Sequence, residues 1–443
     1  MKVLYSWLKE FCDPGIDAAA AAEKIAGAGI EVAAVTRPAD GLSGVVIARL
    51  TTLAKHPNAD RLQVCQADIG NGQTVQVVTA TTNVAAGDLV PLALARATLA
   101  GGLKIKAGKL RGEKSDGMFC STAELGLPAG DGVWVLPAGA FTPGTDAIAA
   151  LGLDDTLIEY EVPANRGDLF GVLGMARELA AATGAPLRLP ELDYPEGSEA
   201  AADAVTVRID APDLCERYAA TVLRGVRAGA ASPFWLQRRL LLCGQRPLGL
   251  AIDVTNYVLL EWGHPLHAFD RSLLRGATLV VRRAAAGEPA VLLDGKTLAL
   301  PPTTLVIADA ERPVALAGVM GCADSGVTAA TTDIVLKSAW FNPPAVRAAA
   351  RGAKLGTAAS QVFERGADRL GLLAALRRAT GLLLAHGGGT ACRGVIDVLP
   401  QPFARRQLTL RPARVARVLG TEIPAAEGVR ILVALGFAVV PAG

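Results

Sequence analysis

The sequence predicts a multidomain α+β protein. Three observations carry that reading. Its 443 residues exceed one ordinary domain, so two to four are expected. From Gly44 to about Gly126 short β-rich runs are split by turn residues, whereas the flanking stretches mix helical and strand patterns. Hydrophobic residues make up 51% and charged ones 19%, which supplies large cores and argues against global disorder.

Taken in order, residues 1–38 read as helix–turn–helix–strand. Asp17 is placed to cap a helix from Ala18 to Ala26, since its carboxylate can accept from first-turn N–H groups, and Ile30 to Val35 reads as a strand. Residues 39–150 hold the β-rich part. Its runs at Val45–Ala48, Gln63–Ile69, Thr74–Thr79 and Leu89–Leu94 are separated by Pro57-Asn58, Gly70-Asn71-Gly72 and Ala86-Gly87-Asp88, a spacing that suggests a small barrel. Residues 151–190 return to mixed structure, with a helix from Leu173 to Thr183. The Pro- and acid-rich stretch 191–204 reads as a linker, and 205–385 as a second α/β region whose clearest helix opens at Ser232-Pro233, a cap plus a first-turn proline, and runs to Leu242. Residues 386–404, with Gly387-Gly388-Gly389 at their start, read as a second linker. The last piece, 405–443, gives a helix from Arg411-Pro412 to Gly420, another from Pro424 to Gly436, and the start of a strand at Phe437–Val440. A unit this small is below the usual limit for independent stability, so the sequence reads as C-terminally truncated.

Bulk properties exclude several classes. A net charge of +2 leaves no global polycation, so any nucleic-acid contact must come from local patches. Seven cysteines, an odd number with no CxxC pair, argue against a disulfide framework and a zinc site. No apolar run approaches the ~18 residues of a membrane span, and Met1 leads straight into folded-looking sequence. A cytoplasmic protein without membrane partners is expected.

Two stretches carry chemistry. The first is the barrel, with His56-Pro57-Asn58-Ala59-Asp60-Arg61-Leu62, Lys104 to Gly112, and Ser115 to Ser121. Alternation in Lys104-Ile105-Lys106 puts both lysines on one face of a strand, which can neutralise backbone phosphates without reading sequence. A lone run of this kind is more often a solvated strand face. His56 reads as a turn residue. The second stretch is Arg246 to Asp270, RPLGLAIDVTNYVLLEWGHPLHAFD. Its apolar run, Leu248 to Leu260, reads as a buried strand or helix start leading into a loop with His264 and His267. An Arg at one end and a His at the other, around an apolar wall, suggests a small pocket for a polar ester or acid. Taken alone, His267 is more often a loop imidazole bonded to backbone.

These motifs, in this order, resemble the bacterial phenylalanyl-tRNA synthetase β subunits. The resemblance runs through Ser6-Trp7-Leu8, Ala28 to Val32, Asn165 to Leu169, Leu173 to Glu178, Cys215-Glu216-Arg217-Tyr218, Arg246 to Asp270, Leu293 to Lys296, Ala315 to Gly321 and Phe363 to Gly366. It implies a small α/β N-terminal domain with an inserted OB-fold barrel that binds tRNA. An α/β editing-type (B3/B4-like) module follows, then an incomplete helix-rich (B5-like) domain. The barrel residues implied in tRNA binding are Lys55, Lys104, Lys106, Lys109, Arg111 and Ser121. The family charges tRNA(Phe) with phenylalanine as an α2β2 heterotetramer. ATP and magnesium serve the whole enzyme. Adenylate formation is on the α subunit, in keeping with the lack of a P-loop here, and the family's magnesium ligands lie beyond residue 443.

The β subunit also hydrolyses tyrosine wrongly esterified to the tRNA. Such a step is needed because an apolar pocket rejects an added hydroxyl by only about a hundredfold. Carried over by motif, the editing pocket holds Arg246, Pro265, His267, Lys337, Thr357 and Ala359. Arg246 would orient the tRNA end or the ester carbonyl, His267 water or the terminal ribose, and Thr357 the water or substrate backbone; Ala359 would leave room for the ring. For Thr357 and Ala359 a plain small-residue turn is equally expected. Lys337 stands where the family has a glutamate that accepts the phenol proton, and an ammonium can only donate. It is expected to bring a second cation near Arg246. Gly249-Leu250 replace paired asparagines, Cys322 replaces a glycine, and Ser360-Gln361-Val362-Phe363 replaces a Ser-His-Arg-Phe-like run. These departures are expected to gather around one pocket and weaken editing. Two other readings stay open: a free-standing hydrolase of mischarged tRNA, and a non-catalytic tRNA-binding or assembly module.

Overall fold

A computed structural model describes residues 1–440. The N-terminal helices are Tyr5–Phe11 and Ala18–Gly27. Asp17 caps the second, accepting from the Ala20 N–H at 2.8 Å. The strands Lys2–Leu4 and Val32–Thr36 do not touch each other: Leu157–Tyr160 pairs antiparallel between them. Residues on either side of the β-rich stretch thus share one sheet, and the helix Val172–Thr183 packs against both N-terminal helices. Trp7 is fully buried and stacks on Tyr257 at 4.8 Å, which ties this unit to the second α/β region.

The β-rich stretch has strands at Ser43–Lys55, Gln63–Asp68, Thr74–Thr79, Leu89–Thr98 and Gly117–Phe119. In the sheet Ser43–Lys55 lies centrally, between Gln63–Asp68 and Leu89–Thr98. The sheet curls until its edges meet, where Asp116 N–H donates to the Gln76 carbonyl (2.9 Å) and Val78 N–H to Ser115 Oγ (3.1 Å). Inward residues form a separate core around Leu50, Cys65, Val77, Leu92 and Phe119. A hairpin, Gly108–Leu110 with Glu113–Ser115, projects from it.

The second region carries two sheets. In the six-stranded one, Cys215–Arg224 and Ile334–Phe341 pair antiparallel at the centre, with Leu266–Asp270 beyond. Every residue of Ile334–Phe341 is buried, so both faces of that strand are covered. The helices Leu250–Trp262 and Leu372–Gly387 pack together on this sheet. A five-stranded sheet, Thr206–Ile209, Thr278–Arg283, Leu305–Ala308, Pro313–Leu316 and Met320–Gly321, completes the module.

Several expectations need correction. The run after Arg246, read as strand or helix start, is the helix of those two: its buried positions Leu250, Val254, Tyr257, Val258 and Glu261 follow a helical stripe, and it looks uniformly apolar because a helix and a sheet both cover it. His267 is in a strand, not a loop. Neither expected linker is free chain. Glu196–Ala200, Thr390–Arg393 and Ile396–Val398 are strands of the six-stranded sheet. Polar Glu196–Ala200 lies at the sheet edge, and Arg217 holds the last strand by a bidentate pair to Asp397 at 2.7 and 2.9 Å. Ser232 does not cap the helix Phe234–Leu242: Pro233 holds the N-cap position, and the Ser232 hydroxyl donates to buried Asp253 at 2.6 Å. The C-terminal helices are Pro412–Leu419 and Ala425–Ala434, and neither buries a residue. Phe437–Val440 forms no strand. Among the described residues no helix is long and apolar enough to cross a membrane.

Candidate functional site

Where the edge of the six-stranded sheet meets the Leu305–Gly321 strands, a cavity of ≈ 50 Å³ opens. Its walls include Pro265, His267, Met320, Lys337, Ala359 and Phe363. Strand pairing sets His267 directly opposite Lys337. The His267 ring packs against Gly321, where an added Cβ would sit 2.5 Å from Cε1, so glycine is required there. The ring meets Phe269 edge-on at 4.5 Å, and its Nε2 has no hydrogen-bond partner.

Lys337 is 4% exposed and forms no ion pair among the described residues. Its Nζ lies 5.1 Å from the Phe341 ring centroid and 5.7 Å from that of Phe363. Those π-faces offset part of the cost of burying a cation, but replace no counterion. Burial lowers the Lys337 pKa to about 8. Burial, and then the neighbouring Lys337, push His267 down to about 3. At pH 7 the pocket therefore holds one cation and a neutral imidazole.

Thr357 begins the short helix Ala358–Phe363. Its Oγ1 donates to the Val319 carbonyl at 2.8 Å and accepts from Ser360 N–H at 3.1 Å, so most of its bonding capacity joins two pocket walls. Ala359, in the first turn of that helix, lines the cavity.

Arg246 does not join this group. It precedes the N-terminus of Leu250–Trp262 while Pro265 and His267 follow its C-terminus, a separation of about 20 Å along the helix. Arg246 is half exposed and pairs with Asp131 of the barrel. It is not a second cation beside Lys337. The expected gathering of departures is corrected with it. Gly249 (φ +131°) is the N-cap of that helix and Leu250 is core, both at the far end. Cys322 is buried behind the cavity wall. Only Lys337 changes the lining chemistry. Membership of one motif block could not reveal this, because the helix Leu250–Trp262 holds the two ends of that block apart.

Two features went unread in the sequence. His264 is 2% exposed, meets Phe363 edge-on at 6.2 Å, and faces the Ala339 backbone without a well-formed hydrogen bond. Burial, then Lys337, lowers it to about 4. Fully buried Glu261 accepts from Arg378 (2.9 and 3.1 Å) and from Tyr257 (2.8 Å), which in turn accepts from Arg239 at 3.0 Å. Tyr257 and Glu261 at helical spacing i, i+4 inside an apolar run were the available signal.

On the barrel, Lys55, Lys104, Lys106, Lys109 and Arg111 are exposed. His56 is buried and acts as a pin: Nε2 contacts the Leu110 carbonyl at 2.9 Å, and Nδ1 accepts from Asn58 N–H at 3.0 Å. That brings Lys55 beside the hairpin bearing Lys109 and Arg111. Lys104 and Lys106 do not belong to a regular strand; Lys104 makes one bridge to Thr98. They still share a face, because buried Ile105 between them bonds Arg96 (2.8 Å) and Ala97 (2.9 Å). Ser121 is engaged by Glu124, which accepts from its N–H at 2.7 Å and from its hydroxyl, so it is not poised for a phosphate.

Two family models match the chain. The "Putative tRNA binding domain" covers residues 45–146, and the B3/4 domain residues 214–388. These define a class that couples a tRNA-binding-type barrel to a B3/4 module. Over nearly its whole length the chain is also similar to curated proteins named phenylalanine–tRNA ligase beta subunit. The one from Anaeromyxobacter dehalogenans is 46% identical over 439 residues, 99% of this chain and 54% of that protein. That of Salinibacter ruber is 42% identical over 454 residues, and that of Syntrophotalea carbinolica 43% over 442, covering 99% and 100% of this chain and 54% and 55% of theirs. The chain belongs to the phenylalanine–tRNA ligase beta-subunit family and spans about half the length of these relatives.

Proposed function

We propose that this chain works as the tRNA-binding and editing-type portion of a phenylalanine–tRNA ligase beta subunit. In that reading it contributes to charging tRNA(Phe) with phenylalanine by an α2β2 enzyme in the cytoplasm, with ATP and magnesium used by the whole assembly and the adenylate formed on the α subunit. The barrel is an OB-fold whose Lys55, Lys104, Lys106, Lys109 and Arg111 follow the tRNA backbone. The helix–helix unit from 405 is part of a B5-type domain. The observation that carries the reading is co-linear identity of 41–46% across 96–100% of the chain.

Within it, hydrolysis of Tyr-tRNA is weakened. His267, Pro265, Thr357 and Ala359 adjoin the cavity, but Lys337 fills the acceptor's place. At ≈ 50 Å³ the space is several-fold below the ~300 Å³ at which ligand pockets begin. Two measurements test this. The chain should bind tRNA with strong salt dependence and co-purify with an α subunit. It should deacylate Tyr-tRNA poorly; turnover at an ordinary family rate, abolished by Thr357→Val or His267→Ala, would sink the weakened-editing part.

A further inference from the structure

The cavity at Lys337 has a chemistry of its own. It holds an ammonium with no carboxylate partner, an imidazole with an unpartnered Nε2, and otherwise apolar walls. Burying a lone cation is costly unless a counter-charge accompanies it. The strand cannot withdraw the group, because all eight of its residues are buried. The lining includes no acidic side chain. The space equals about three to five water-sized volumes, the scale of a short-chain acid.

We propose that this pocket binds a small monocarboxylate, with its oxygens on the Lys337 ammonium and its short tail against Phe363 and Leu316. Charge matches: one cation and two neutral histidines at pH 7 favour a monoanion over phosphate or a dicarboxylate. A charge-assisted N–H···O contact in a desolvated site is about twice as strong as a neutral one. The inference needs only the pocket geometry, so it stands or falls apart from any action on aminoacyl-tRNA.

The groups facing Lys337 are His267 on one neighbouring strand, Cys215 near the start of the other, and His264 before the first, with the Asp368 carboxylate acting on His264. The histidines titrate near 3 and 4 and buried Cys215 is pushed up to about 12. Between pH 7 and 10 Lys337 is therefore the group among these nitrogens and the thiol that changes charge.

The test is calorimetric titration of the full chain with sodium acetate, with acetamide and sodium chloride at matched ionic strength as controls. Acetate should bind at pH 7 at least tenfold more tightly than either control. That advantage should disappear in Lys337→Met, whose folding is checked by circular dichroism. It should also fall about tenfold or more in the unmodified chain between pH 7 and pH 10, a readout independent of any variant. Equal binding of acetamide, or acetate binding unchanged by Lys337→Met or by pH 10, would overturn the proposal.

Discussion

At the scale of single residues, Lys337 dominates. Unfolded, its amine holds a proton to about pH 10.5; folded, burial brings release down to about 8. The folded state therefore bears the whole penalty below pH 8, on the order of 3 kcal/mol, and stability recovers as pH rises from 8 to 10.5. Denaturant unfolding of the chain and of Lys337→Met should show the variant more stable at pH 7, by a margin that shrinks across that window. A margin independent of pH would mean that the amine is not desolvated. The histidines give a slope of the same sign in a lower pH window. Their folded values, about 3 for His267 and about 4 for His264, lie below the ordinary 6.5. The unfolded chain binds those protons first, so stability should fall as pH drops below 6.5, less steeply in His264→Gln. Under the proposed function, Lys337→Glu supplies the missing acceptor for a phenol. Tyr-tRNA hydrolysis by that variant should rise at least tenfold over the unmodified chain if it folds, and no gain in a folded variant would remove Lys337 as the cause of weak editing.

At the scale of elements, the pocket's walls are set by backbone crossings more than by side chains. Gly171, ahead of the helix Val172–Thr183, lies against the backbone of Gly263, two residues before Pro265. Gly167 lies against the carbonyl of Gly366, just beyond Phe363. The segment Gly167–Gly171 thus braces both ends of the cavity from the N-terminal unit. A methyl at Gly171 would fall inside contact distance of the Gly263 nitrogen, so Gly171→Ala should cost about 1–3 kcal/mol. Gly352, exposed and with nothing within 4 Å of an added Cβ, is the control, and Gly352→Ala should gain about 0.5–1 kcal/mol. Thermal unfolding of the pair checks both signs. Much at this scale was legible in sequence: the Asp17 cap, the strand Thr74–Thr79 and the helix ending at Thr183 are where local signals put them. The paired strands at Glu196 and Thr390 were not, because they lie almost two hundred residues apart in the chain and local polarity reads the same in a linker and near a sheet edge.

At the scale of the whole molecule, the motifs identified the family while hiding which of their residues meet. Pro265, His267, Lys337 and Ala359 converge on one cavity; Arg246, from the same block as His267, serves the joint between barrel and module. That joint is mainly aromatic. Phe234 meets Phe141 edge-on at 5.1 Å and stacks near Trp134 at 6.0 Å. The exposed Arg246–Asp131 pair adds at most about 1 kcal/mol. If one tRNA engages both the barrel's cations and the module, the joint sets their effective concentration, and loosening it weakens binding without removing a phosphate contact. Phe234→Ala should therefore lower tRNA affinity of the full chain by roughly tenfold while the slope of log affinity against log salt stays as it was. Lys109→Ala should do the converse, reducing that slope by about 0.7–0.9 with a smaller loss at high salt. Filter binding of both variants across a salt series separates the two effects. An affinity within twofold for Phe234→Ala would mean that barrel and module do not hold the same tRNA. A shallower slope in that variant would instead place the joint itself among the phosphate contacts.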